Sequence, residues 1–67
     1  MFHKSDEIPK SGQFAAVWKT ESGTFAQTFK YRDDGYLLAY DMYHDEWECE
    51  HGYSEKFLVD VKASFIV

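Results

Sequence analysis

Cysteine is almost missing. Cys49 is the only one in 67 residues, so no internal disulfide can form. A domain this short buries only about 60% of its unfolded surface. Without a disulfide, self-association is the expected supplement, and we expect a homodimer. A lone thiol also suits a reducing compartment. Long apolar runs are missing as well. No stretch approaches the roughly 20 residues that a membrane helix needs, and the opening MFHKSDEIPK holds no apolar block of signal-peptide length. The expectation is a cytoplasmic protein with no membrane partner. Basic residues are scarce, 7 against 12 acidic ones, for a net charge of −5. That sign repels nucleic acid and anionic membranes and favours basic surfaces, including the DNA-binding faces of enzymes.

Aromatic residues, by contrast, are plentiful: six Phe, five Tyr and two Trp. A disordered acidic tail lacks such rings, and interface cores favour them. Residues 1–12 are polar, hold Pro9 and Gly12, and read as a flexible leader; residues 13–67 read as one domain. QFAAVWKT (13–20) alternates, with Phe14, Ala16 and Trp18 on one face, as a strand does. TFAQTFKY (24–31) alternates again after the turn ESG, giving an antiparallel hairpin.

In YLLAYDMYHDEWECEH (36–51), Tyr36, Tyr40, Tyr43 and Trp47 recur at spacings of four, three and four. That is the stripe of an amphipathic helix, with Asp33 or Asp34 as its cap and Gly52 just past its end. The competing reading makes DDGY a tight turn and YLLAYDMY a third strand. KFLVDVKASFIV (56–67) alternates and reads as a half-buried strand. The fold expected is therefore α+β: a three-stranded antiparallel sheet with one helix, in the order β-β-α-β.

Several chemistries fail on spacing. His44, Cys49 and His51 lie close together but lack the usual zinc spacings; two solvated histidines and a buried thiol are the simpler reading. Paired carboxylates such as Glu46 and Glu50 need a pocket that shifts their pKa values, and small domains rarely enclose one. Hence neither catalysis nor a cofactor is expected. Lys19, Lys30 and Arg32 interleave with Trp18, Phe29 and Tyr31, a pattern that can stack on bases, but the net charge has the wrong sign for nucleic acid. Protein binding fits better. In DEWECE (45–50), carboxylates ring Trp47; tryptophan is a common hot spot, and rim charges steer association. The plainer alternative is that Trp47 completes a core stripe, with the acids forming its wet side.

The hairpin VWKTESGTFAQTFKY, the segment EWECEHG (46–52) and the last fifteen residues together resemble the small uracil-DNA glycosylase inhibitors of Bacillus podophages. A longer connection, RDDGYLLAYDMYHDE, separates the matching parts. The resemblance implies a phage-type dimeric DNA mimic that inhibits uracil-DNA glycosylase in the host bacterial cytoplasm. It implies groove contacts through Glu46 and Glu48, an apolar trap lined by Trp47 between paired helices, and a flanking position at His51; Asp45 and Tyr43 are further candidate partner-binding residues. Thr28 falls where that family carries an acidic residue. Acidic phage proteins of this size also inhibit RNA polymerase or CRISPR effectors, and a plain dimerisation module is a third possibility, because fold alone does not fix function.

Overall fold

The computed structural model describes residues 3–67. Its elements run β1 (Lys4–Ser5), β2 (Gln13–Thr20), β3 (Gly23–Tyr31), β4 (Leu37–Asp41), β5 (Glu46–Glu48), α1 (Glu55–Asp60) and β6 (Ser64–Ile66). The strands form one six-stranded sheet in the order β1-β6-β2-β3-β4-β5, and every pairing is antiparallel. β2 to β5 are a meander. β6 then returns to the far side of β2, and β1 closes against β6.

Local chemistry explains the turns. Thr20 pairs with Gly23 across a two-residue loop, and Thr20 Oγ1 accepts from the Ser22 N–H at 3.1 Å. Between β3 and β4 the chain reverses at Gly35, whose φ of +90° is glycine territory. There the Arg32 N–H donates to the Tyr36 carbonyl and the Gly35 N–H to the Arg32 carbonyl, both at 2.8 Å. Arg32 and Asp34 brace this turn with two charge-assisted bonds at 2.8 and 2.7 Å.

Antiparallel register sets the two faces. Phe14 faces Phe29, Ala16 faces Phe65 on one side and Gln27 on the other, and Phe29 faces Ala39. These residues share the face that α1 covers. Phe14, Phe29, Phe65 and Leu58 are almost fully buried there. Rings from the segment before α1 and from α1 itself complete the core: Tyr53 lies 5.5 Å from Phe29 and Phe57 lies 5.8 Å from Trp18, both edge-on. The opposite face has no helix over it and carries Ala15, Val17, Thr28, Tyr40, Trp47 and Ile66.

The three-stranded β-β-α-β expectation is thus overturned. The 36–51 segment is not a helix: it supplies β4 and β5, the reading that makes DDGY a turn. Its ring spacing misled because both faces of these strands carry apolar groups. Leu37 and Ala39 point to the helix side, while Leu38 and Tyr40 point away, so no period of two is visible. Tyr40 and Trp47 are instead a cross-strand pair with ring centroids 5.1 Å apart. The 56–67 segment is likewise not one strand. Ser54 caps α1, its side chain accepting from the Phe57 N–H at 3.0 Å, and only Ser64–Ile66 is extended. With six strands, the case for a dimer made from a narrow sheet no longer applies. Part of the 1–12 stretch expected as a loose leader is built in: Lys4 pairs with Ile66, Ile8 packs on the core, and the Pro9 carbonyl accepts from Tyr31 Oη at 2.9 Å. Residues 1–2 lie outside the described residues.

Candidate functional site

From Asp33 to Glu55 the chain carries eight carboxylates and no lysine or arginine. The fold lays most of this stretch along one margin of the sheet, where β5 is the outermost strand. Asp45, Glu46, Glu48 and Glu50 are all exposed there, and among the described residues none of them forms an ion pair.

Strand alternation divides the expected site residues. Glu46 lies opposite Asp41 and Glu48 opposite Ala39, on the helix side. Trp47 pairs with Tyr40 on the other face, half-buried, with Lys30 Nζ 4.3 Å from its ring centroid. Trp47 therefore lines no inter-helix trap: it is a sheet residue, and the helix that was to carry it does not exist. Thr28 sits on the same open face as Trp47, opposite Ala15. The ring that meets solvent among the carboxylates is Tyr43, 90% exposed, next to Met42 at 73%. Both occupy the loop between β4 and β5.

That loop is held by its own acids. Asp41 Oδ1 accepts from the Tyr43 N–H at 2.9 Å, and Asp41 Oδ2 pairs with His44 Nδ1 at 2.6 Å. The His44 bond holds the Asp41 carboxyl below its ordinary range, and Asp41 in turn raises the His44 imidazole. Asp45 takes a positive φ of 52° to turn the chain into β5, a conformation that Asp tolerates better than most residues. Its carboxylate accepts from Tyr40 Oη and raises the Tyr40 phenol.

His51 braces the structure. Its Nε2–H donates to the Leu37 carbonyl at 3.1 Å, and its Nδ1 accepts from the Tyr53 N–H at 3.0 Å. Both ring nitrogens are therefore occupied, which fixes the neutral tautomer. The ring also packs edge-on against Phe29 at 5.8 Å. The expected buried thiol is exposed at Cys49, because its neighbours in the alternation, Trp47 and Glu48, leave it beyond the end of β5.

β3 and β4 stop pairing after Phe29 and Ala39. Gln27 spans the gap, its Nε2 donating to the Tyr40 carbonyl at 2.7 Å. A hollow of about 400 Å³ opens there on the helix side, lined by Gln27, Asp41, Tyr43, Glu48, Glu50 and His51 among others. Tyr43, Glu48 and His51 thus come together as expected site residues. Gln27, Asp41 and Met42 were missed, and only the loop geometry identifies them. Among the described residues no group of His, Cys, Asp and Glu side chains is arranged to hold a metal, and no helix is long and apolar enough to cross a membrane. No protein-family model, curated protein or solved structure matches this chain.

Proposed function

We propose that this protein is a non-enzymatic binding module whose acidic β4–β5 margin docks on the basic, nucleic-acid-binding surface of a host protein, as a DNA mimic. The observation that carries this reading is the row of uncompensated carboxylates at Asp45, Glu46, Glu48 and Glu50, flanked by the exposed Met42–Tyr43 tip. A DNA-binding groove is lined with Lys and Arg that normally meet phosphates. A rim of fixed carboxylates offers the same charge, and an apolar tip offers a desolvated anchor. Uracil-DNA glycosylase is the first target to try, on the strength of the resemblance in the hairpin and in EWECEHG. The tip at Tyr43 takes the anchoring role that the resemblance gave to Trp47.

A uracil-excision assay with purified protein tests the target. Excision that falls at near-stoichiometric amounts supports it, and full excision at large molar excess rejects it. The wider reading is tested by capture from a bacterial lysate, comparing the natural protein with a Glu46→Lys, Glu48→Lys, Glu50→Lys variant. The reading expects a nucleic-acid-binding protein, RNA polymerase or a CRISPR effector included, that the variant no longer retains. Equal retention by both proteins overturns it.

A further inference from the structure

The margin of the sheet away from the carboxylates has the opposite character. β6 begins at Ser64, opposite Val17, so β2 beyond Val17 is not paired with it. A cleft of about 570 Å³ opens between them, within the roughly 300–1,000 Å³ typical of small-molecule sites. Its floor is apolar, formed by Val17, Trp18, Val61 and Ile66, and its rim carries Lys4, Lys19 and Lys62. No carboxylate lines it, and among the described residues none of these three lysines is in an ion pair. The other four cations are differently placed: Lys10 lies 3.9 Å from Glu55, Arg32 pairs with Asp34, Lys30 sits over Trp47, and Lys56 is exposed on α1 away from the cleft. In an acidic protein, three of the four lysines that have neither a carboxylate nor a ring partner among the described residues thus line one apolar cleft. β2 and β5 stand three strand spacings apart, roughly 14 Å, beyond the ~8 Å Debye length at physiological salt. The acidic margin therefore does little to neutralise the lysines.

A second observation concerns the backbone. Lys62 has φ +56°. It follows the helix cap Val61, its N–H donates to the Val59 carbonyl at 3.0 Å, and the Ala63 N–H donates to the Leu58 carbonyl at 3.1 Å. This pair of bonds is the Schellman helix stop, whose left-handed residue is usually glycine. A lysine bears strain there, and what it brings is an ammonium group at the cleft.

We propose that this cleft binds an amphipathic organic anion: an aliphatic or aromatic body against Val17, Trp18 and Ile66, and a carboxylate or phosphate head among Lys4, Lys19 and Lys62. An added peptide strand fits less well. At this end of β2 only Trp18, Lys19 and Thr20 lie beyond its pairing with β6, against the five or so residues of an ordinary strand. The site is independent of the acidic margin.

Decanoate and decyl phosphate are the probes, titrated below their micelle concentrations into a Trp47→Phe protein, so that the fluorescence reports Trp18. Decyltrimethylammonium has the same tail with the opposite charge. The expected result is saturable one-to-one binding of one or both anions and at least tenfold weaker binding of the cation. Lys4→Gln, Lys19→Gln and Lys62→Gln each weaken the anion several-fold. Lys62→Gly raises the melting temperature and still weakens binding, so a lost site cannot be confused with a lost fold. Equal binding of cation and anion, unchanged affinity in the triple Lys→Gln protein, or no saturable binding of either anion up to millimolar concentration overturns the proposal.

Discussion

Asp41 and His44 hold the Met42–Tyr43 tip between two titrations. The His44 value is raised above its usual 6.5, so its contribution is complete below that value and lost as pH rises through the higher one. The Asp41 value is lowered from 3.8, so its contribution is complete above that value and lost as pH falls through the lower one. The loop should be best ordered between the two limits. His44 is exposed and Asp41 only half-buried, so the effect belongs to the loop and not to global stability. Amide-exchange protection at Tyr43 should fall at the alkaline limit, and His44→Ala should abolish that fall. Tyr31 behaves differently. Burial first, then its hydrogen bond and proximity to Glu55, push its phenol up to about 12 from 10.0. Its contribution is intact below 10.0 and is lost as pH rises through about 12. Thermal melts across that alkaline range should show a steeper loss for the natural protein than for Tyr31→Phe. At Lys62, glycine should add roughly 0.5–1 kcal/mol by relieving the left-handed strain.

Among the elements, α1 is held chiefly by one side chain, with Phe57 packed edge-on against Trp18 beside it. Leu58 is its only buried residue, with no exposed surface. Leu58→Ala should cost about 2–5 kcal/mol in urea unfolding, a large share of what a small domain possesses at roughly 0.05–0.15 kcal/mol per residue. This helix was hidden in the sequence because six residues are too few to show a 3.6-residue period, and Phe57, Val59 and Val61 mimic strand alternation. Val59 in fact lies 59% exposed. β2 and β3 were legible because their rings keep to one face, Phe14 and Trp18 against Phe29 and Phe25. β4 and β5 were not, since Leu38 and Trp47 face away from Ala39 and blur the period. The acidic composition of the site could be read directly. Which ring reaches solvent could not, because that depends on whether the chain at 42–45 is a helix turn or a loop.

Across the whole molecule, one margin of the sheet, β4–β5, carries carboxylates without lysine or arginine, while Lys4, Lys19 and Lys62 line the cleft beside β2 and β6. A partner recognised through the acidic margin should associate more slowly as salt is added, with little change in the dissociation rate. Stopped-flow association at several ionic strengths measures this, and a salt-independent rate would contradict it. The same salt screens repulsion among neighbouring carboxylates, so the melting temperature should not fall with it.

The strand order also ties together distant parts of the chain. Among the described residues β1 has no sheet neighbour except β6: His3 and Val67 exchange two backbone bonds, at 2.8 and 2.9 Å, and Lys4 lies opposite Ile66. β1 therefore has no seat until β6, about sixty residues further on, has formed. Closing so long a loop is a late and entropically costly step of folding. A protease that clips the chain ahead of Ser64 would remove one strand and unseat a second, so the two behave as a single latch.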